Sequence, residues 1–362
     1  MPIVVASSFP PEIGGIQRYC ESIARALNAS RGGVVVVAPK AQGADAFDRA
    51  ASFRIVRYAS GSSRIGAMVS LWISVIGVSL RNPSFVVASS WFPSGLCAHL
   101  IPPPLRRRVL VIAHGTEVSP SRRGFHRLVK LAVYNRADAV IAVSDTTRKM
   151  LLRAGVRPEL IHVVHCGIDV LPPVVGRPDR QIILATGRLI ERKGFDRLVE
   201  SMPTILREFP QATLRIVGDG PQREALERRC EHLGVTAAVC FRGSIDDREL
   251  QREYREASCF ALPVRAIGDD IEGFGIVYLE AAMAGLPVLG GRNSGAEAAI
   301  ADGVTGLLVD GNDSHAIARA IGQFFRDPDD ARRMGERGRE RAIASFSWAS
   351  VAEVIERIGT SA

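Results

Sequence analysis

Residues 182–196 read Ile-Ile-Leu-Ala-Thr-Gly-Arg-Leu-Ile-Glu-Arg-Lys-Gly-Phe-Asp. An apolar run gives way to a glycine and a short loop with cations at Arg188 and Lys193. A helical pattern then starts. Such a run, with no polar alternation, fits a strand buried on both faces, and its carboxyl end feeds a helix. The order belongs to a parallel sheet covered by helices. Just upstream, residues 169–180 (Asp-Val-Leu-Pro-Pro-Val-Val-Gly-Arg-Pro-Asp-Arg) hold three prolines and a glycine, a linker composition.

Outward from this point the same alternation fills the chain. Downstream, strands are expected at 213–217, 239–241, 260–263, 288–289 and 306–309. Helices are expected near 194–208, 221–233, 246–257, 275–285, 295–301 and 313–326, and two more at 329–345 and 347–359. Upstream, strands are expected at 3–8, 34–38, 53–58, 85–90, 109–113, 139–144 and 161–164. Ile16, Tyr19, Ile23 and Leu27 mark the first helix, with others near 65–80, 94–100, 124–135 and 145–154. The expectation is an α/β chain of two facing doubly wound Rossmann-like domains, residues 1–172 and 173–345. A last helix, 346–362, would pack back on the first. Ligands in such sheets bind at strand carboxyl ends, so a cleft between the domains is the natural site.

Composition bounds the function. A chain of 362 residues, 47% hydrophobic and 23% charged, is large enough for two buried cores. Ile3–Ala6 is too short for a secretory apolar region, and residues 67–80 fall short of the ~20 needed to span a bilayer. A cytoplasmic protein is expected. Six cysteines without C-x-x-C spacing suggest neither zinc nor a disulfide framework. Residues 1–172 carry 21 Lys/Arg against 9 Asp/Glu, and residues 173–362 carry 25 against 29. The basic first half implies an anionic partner. Arg106–Arg108, Arg122-Arg123 and the amphipathic run 125–133 suit an anionic membrane face. The alternative is a surface helix packing Leu128, Leu131 and Ala132 on its own sheet. Nucleic acid is not expected, because no recognition motif or aromatic interleaving appears.

Four constellations hold chemistry. Residues 267–280, Ile-Gly-Asp-Asp-Ile-Glu-Gly-Phe-Gly-Ile-Val-Tyr-Leu-Glu, read as a loop and glycine turn opening a helix. Helix-start N–H groups beside Gly273 and Gly275 favour an anionic, hydroxyl-rich ligand, and Glu272 and Glu280 bracket the turn. Asp269 and Asp270 have no evident role. The second is the 187–194 loop, where Arg188 and Lys193 could hold a diphosphate or simply be solvated. The chain has only four lysines against 42 arginines. The third, Phe9-Pro-Pro-Glu-Ile-Gly-Gly-Ile16, puts Gly14 and Gly15 at a strand-to-helix turn without dinucleotide spacing. The fourth is His114 at a strand end, a candidate base or hydroxyl donor, or a structural histidine. His162 and His165 would point to opposite strand faces, and Asp327-Pro-Asp329 reads as helix capping. No essential metal is expected.

Taken in order, these stretches resemble retaining glycosyltransferase family 4, which has the GT-B fold. The resemblance runs through Phe9–Gly15, His114-Gly-x-Glu117, Gly167-Ile-Asp169 and Gly187-Arg-Leu-x-x-x-Lys-Gly194. It continues through Val217-Gly-Asp-Gly-Pro221, Glu272-x7-Glu280 and the Asp327–Trp348 tail. Phe9–Tyr19 and Ile271–Glu280 look most like bacterial phosphatidylinositol-mannoside mannosyltransferases that use GDP-mannose. The loop before Glu272, Ala-Ile-Gly-Asp-Asp, is less glycine-rich than theirs.

The resemblance implies that Arg188 and Lys193 grip a nucleotide-sugar diphosphate, with Gly14 and Gly15 closing over it. Glu272 would hold sugar hydroxyls beside the N–H groups of Gly273, Phe274, Gly275 and Ile276, and Glu280 the ribose. Gly218 would belong to the donor site, and Arg242, Gly243, Ser244 and Val264 would border the base. His114 would sit by the donor sugar. The expected function is hexose transfer, mannose from GDP-mannose, to a lipid-linked or polysaccharide-precursor acceptor, without cofactor or metal, at the inner face of the cell membrane. The alternatives are a UDP-sugar enzyme with a soluble acceptor and a non-catalytic nucleotide-sugar-binding protein.

Overall fold

The computed structural model describes residues 1–12, 14–61, 63–115, 117–118, 124–171 and 180–361. The chain divides into two compact units. Unit 1 is Met1–Gly167 with Phe346–Ala362, and unit 2 is Ile168–Ser345. The expected boundary at 172/173 lies outside the described residues.

In unit 1 the chain runs β1 (Ile3–Val5), α1 (Gly15–Arg31), β2 (Val35–Pro39), α2 (Ala44–Ala50), β3 (Arg54–Tyr58) and α3 (Arg64–Ser79). It continues through β4 (Phe85–Ala88), α4 (Leu96–His99), β5 (Arg108–Ala113), α5 (Phe125–Arg136), β6 (Ala139–Ala142), α6 (Asp145–Ala154) and β7 (Ile161–Val163). The strands pair in parallel in the order β3-β2-β1-β4-β5-β6-β7. Ile3, Val5, Val86, Val111 and Ile141 are fully buried, as strands covered on both faces require. Each such side chain contributes ~1.5–3 kcal/mol by leaving water. The seven strands lie where the apolar runs placed them, trimmed by one to three residues at some ends.

Helix α2 has no counterpart in the sequence reading. Its Phe47 ring meets Phe9 edge-on at 5.9 Å, and Arg57 bonds both carboxylate oxygens of Asp48. Long-range contacts, not local periodicity, hold these seven residues, about two turns. Helix α6 has local signals at both ends. Ser144 Oγ accepts from the Thr147 N–H at 3.1 Å, and Gly155 closes it in the left-handed region.

Unit 2 runs β8 (Ile182–Thr186), α7 (Phe195–Glu208), β9 (Thr213–Val217), α8 (Arg223–His232), β10 (Val239–Gly243), α9 (Asp247–Glu256) and β11 (Cys259–Leu262). After these come α10 (Ile276–Met283), β12 (Val288–Gly291), α11 (Ala296–Ala299), β13 (Gly306–Val309), α12 (Ser314–Arg326) and α13 (Pro328–Ser345). Its parallel sheet has the order β10-β9-β8-β11-β12-β13. Strand order reverses between β8 and β11, as it does between β1 and β4 in unit 1. At such a switch point the loops leave the sheet on opposite sides and open a crevice at the carboxyl ends. Asp327 Oδ1 accepts from the Asp330 N–H at 2.9 Å, the capping expected of the Asp-Pro-Asp stretch.

The final helix, α14 (Trp348–Thr360), packs on α1 and against β4 and β5 of unit 1. Tyr19 and Trp348 meet edge-on at 5.3 Å. Gly167 lies so close to the Trp348 ring that a Cβ there would fall 2.5 Å from it.

Candidate functional site

The switch point of unit 2 gathers the charged residues singled out in the sequence. The β8 loop turns at Gly187, whose N–H donates to Val217 O, and tightens into a single helical turn over Glu191–Lys193. Gly194 follows with φ +74°, and a Cβ on it would lie 2.1 Å from the Pro263 carbonyl. The residue must be glycine both to turn left-handed and to admit the β11 loop. That loop is pinned a second time. The buried Arg265 bonds both carboxylate oxygens of Asp196, at 2.7 and 2.9 Å, and its N–H donates to Arg192 O.

These constraints bring Lys193, Arg192 and Glu272 together. Lys193 Nζ stands 2.7 Å from Glu272 Oε2, and the Arg192 guanidinium bonds the same oxygen. Arg192 Nε also pairs with Asp270 Oδ1 at 3.2 Å. Lys193 and Glu272 are each only 9% exposed. Burial alone would raise the Glu272 carboxyl pKa, but the adjacent Lys193 and Arg192 charges outweigh it and hold the pKa below the usual range. Asp270 thus has a partner that the sequence did not reveal. Ile267 and Asp270 exchange two backbone hydrogen bonds around Gly268, leaving Asp269 at an exposed turn tip. Arg188 is exposed and has no ion pair among the described residues.

Beyond Glu272, Gly273 and Phe274 are buried, and Gly275 turns left-handed into α10. No side chain caps this helix. Glu280 is half-buried one turn in, and its Oε2 accepts from the Tyr254 hydroxyl at 3.0 Å. Two residues implied by the resemblance are used for packing. Gly218 donates its N–H to Gly243 O, and a Cβ on it would strike Gly187 O at 2.1 Å. Val264 is fully buried, and its carbonyl lies so close to Gly291 and Gly311 that a Cβ on either would fall 1.7 or 2.5 Å from it. The Arg242 side chain pairs with the buried Glu253 at 2.8 Å and lines a separate cavity of about 470 Å³ with Arg215, Cys240 and Arg252. Ser244 is exposed beside the left-handed Gly243.

Unit 1 places its candidates around its own switch point. Gly14 and Gly15 open α1, and Cβ space at Gly15 is clear. Ser8 Oγ donates to Glu12 Oε2 at 2.7 Å in the same loop; Ile13 lies outside the described residues. His114, after β5, bonds Ser89 O through Nε2 at 3.0 Å and meets the Tyr19 ring edge-on. Burial lowers its pKa, offset in part by Glu117 and the Ser89 carbonyl, so the ring is neutral near pH 7. With Nε2–H donating to a carbonyl, Nδ1 is left as an acceptor.

The basic surface differs from the packed-helix expectation. Leu128 is 65% and Phe125 81% exposed, whereas Lys130, Val133 and Tyr134 face inward. Lys130 Nζ reaches the Val118 carbonyl at 3.0 Å, a partner that lets a lysine occupy an apolar face. On α3, Ile65, Val69 and Ile73 are spaced four apart along one exposed line. Leu80, Phe92 and Leu100 are exposed as well. Residues 49–137 contain thirteen Lys/Arg and one carboxylate, Glu117, whose side chain turns inward to the His114 N–H. Arg122 and Arg123 lie outside the described residues. No helix among the described residues is long and apolar enough to cross a membrane, and no group of three or more His, Cys, Asp or Glu among them is placed to hold a metal ion.

Two family models match end to end: "Glycosyltransferase Family 4" over residues 13–170 and "Glycosyl transferases group 1" over 171–341. The GDP-mannose-dependent alpha-(1-6)-phosphatidylinositol monomannoside mannosyltransferase of Mycolicibacterium smegmatis is 33% identical, covering 96% of this chain and 94% of its own. A Corynebacterium glutamicum mannosyltransferase for monoacylated phosphatidylinositol monomannoside is 27% identical, over 98% and 97%. Among solved structures, Anabaena HepE with UDP and glucose superposes with a TM-score of 0.83 at 20% identity, over 98% of each chain. WaaG, a glycosyltransferase of lipopolysaccharide biosynthesis, does so with 0.73 at 18%, over the full length of both. Shared ancestry along nearly the whole length places this chain in the group 1 and family 4 glycosyltransferases, as a hexosyltransferase of the GT-B fold.

Proposed function

We propose that the enzyme transfers mannose from GDP-mannose to a mannosylated phosphatidylinositol or a related lipid-linked acceptor, with retention of anomeric configuration. The observation that carries this reading is the placement of Arg188, Lys193 and Glu272 at the carboxyl ends of β8 and β11. The similarity to the mycobacterial mannosyltransferases supports the donor and the acceptor class. Arg188 and Lys193 bind the diphosphate and offset the charge that grows on it as the glycosidic bond breaks. The acceptor hydroxyl attacks from the face the phosphate leaves, and the leaving phosphate oxygen takes its proton. Glu272 orients the sugar hydroxyls, and the first N–H groups of α10 lie beside it. Glu280, steadied by Tyr254, binds the ribose. In unit 1, His114 keeps Nδ1 as an acceptor for a ligand hydroxyl, its Nε2 being engaged by Ser89 O. No step needs a metal or a cofactor.

Donor hydrolysis is the direct test, screened over GDP-mannose, UDP-glucose, UDP-galactose and UDP-N-acetylglucosamine, with GDP and UDP titrated by calorimetry. GDP-mannose should turn over at least tenfold faster than the others. A preference for a UDP-sugar would replace this reading with the runner-up donor.

The apolar line Ile65-Val69-Ile73, with Leu80, Leu100, Phe125 and Leu128, suits the enzyme to the surface where a lipid acceptor resides. The stretch that carries them, residues 49–137, has thirteen Lys/Arg and a single carboxylate, Glu117. In liposome flotation the protein should float with vesicles containing phosphatidylinositol at low salt and stay behind with neutral vesicles. Ile65→Asp with Ile73→Asp should abolish flotation and leave hydrolysis of the soluble donor unchanged. Equal flotation of the variant would remove α3 from the contact.

A further inference from the structure

Two cations converge on one oxygen of Glu272. Lys193 Nζ lies 2.7 Å from Oε2 and Arg192 bonds that same atom, while Asp270 draws on Arg192 from its other side. Arg188, by contrast, is exposed and has no carboxylate among the described residues. A single ammonium cannot neutralise a buried carboxylate and grip a diphosphate at full strength at the same time. If Lys193 were the only partner, its departure would strand Glu272 as a buried, unpaired anion, a costly state. Arg192 removes that conflict. The Arg265 N–H fixes the Arg192 backbone through its carbonyl, and the guanidinium bonds Glu272 directly with Asp270 close to its Nε, so Glu272 keeps a cation when Lys193 turns to the diphosphate.

We infer that Arg192 is a positioning residue: it is the standing counter-ion of Glu272, and it frees Lys193 for the diphosphate. The inference rests on the reading of Lys193 as a diphosphate ligand. Arg192 acts through Glu272 and Lys193 and does not touch the nucleotide. Its Nε also pairs with Asp270, which adds a link between the turn at 267–270 and the 187–194 loop. Its effect should therefore depend on the number of phosphates on the ligand and on the presence of the Glu272 charge. A residue that merely supports the fold would show neither dependence.

The experiment is calorimetric titration of GDP and GMP into the wild type, R192Q, E272Q, R192Q/E272Q and K193A. With Arg192 gone, Lys193 becomes the sole counter-ion of Glu272 and is held there. R192Q should then bind GDP about tenfold more weakly, the scale of one charge-assisted hydrogen bond, and bind GMP as the wild type does. E272Q releases Lys193 and should bind GDP as tightly as the wild type or tighter. The double variant should recover the affinity that R192Q loses. If GDP affinity is unchanged in R192Q, or if the double variant stays as weak as R192Q, Arg192 is not acting through Glu272 and the inference is wrong. Should R192Q not fold, weaker GDP binding by E272Q alone would overturn it equally. If K193A binds GDP like the wild type, the assignment of Lys193 itself fails. Weakened K193A with normal R192Q sinks only the role of Arg192.

Discussion

Lys193→Ala should lower the rate of sugar transfer on the order of a hundredfold or more, the usual result of removing one preorganised group that meets developing charge. The ammonium sits at the end of a loop fixed at both sides, by the Gly187 N–H on Val217 O and by the close contact of Gly194 with Pro263. The fixed backbone leaves only the short step of the ammonium from Glu272 to the diphosphate, and that preorganisation is the source of the effect. The loss should appear in kcat at saturating donor as well as in kcat/KM, because the charge on the leaving diphosphate is larger in the transition state than in the ground state. Arg188→Ala should lose less, since an exposed guanidinium is screened by solvent. Equal rates for Lys193→Ala and the wild type, measured with purified donor and acceptor, would falsify the placement of the diphosphate.

Glu272→Ala should cost both activity and stability. It removes the carboxylate between two largely buried cations, and breaking a buried pair in this way costs about 3–5 kcal/mol. Thermal unfolding reads that loss as a fall of several degrees in Tm. The pH dependence has a definite sign. The folded-state pKa of Glu272 is depressed, so its contribution is fully present above the unfolded carboxyl range and is lost as pH falls through the folded value. Wild type and variant should therefore differ most near neutrality and converge in acid. A constant Tm difference from neutral to strongly acidic pH would show that the pair is not the source. Transfer should fall with stability, because the sugar hydroxyls lose their acceptor.

Legibility from sequence followed the range of the contacts. Ile182–Thr186, Thr213–Val217 and Gly306–Val309 form strands with the bounds their apolar runs predict, because burial on both faces leaves a continuous local signal. Helix α2 was illegible, since Ala-Asp-Ala-Phe-Asp-Arg-Ala has one large apolar residue and depends on Phe9, far along the chain. On α5 the spacing of Leu128, Leu131 and Ala132 suggested an inward stripe, but Leu128 and Ala132 are exposed, Leu131 is half-buried, and Lys130, Val133 and Tyr134 face inward. A lysine satisfied by distant carbonyls carries no hydrophobic signal. In the site, residue types at strand ends were readable: Arg188, Lys193, Glu272 and Glu280 all follow β8 or β11. Their pairings were not. Arg192 stands among 42 arginines, and only the fold shows that it, rather than its neighbours, meets Glu272 eighty positions away.

The return of α14 to unit 1 sets an order of events during synthesis. Unit 2 is one uninterrupted stretch, Ile168–Ser345, and can close as soon as it has left the ribosome. Unit 1 cannot. Tyr19 packs against Trp348, Phe85 lies beneath Gly359, and Gly167 abuts the Trp348 ring. The side of its sheet that carries β4 and β5 stays uncovered until residues 346–360 emerge. The half of the chain made first is thus completed last, and for that interval its apolar strands are the part of the nascent protein most in need of a chaperone.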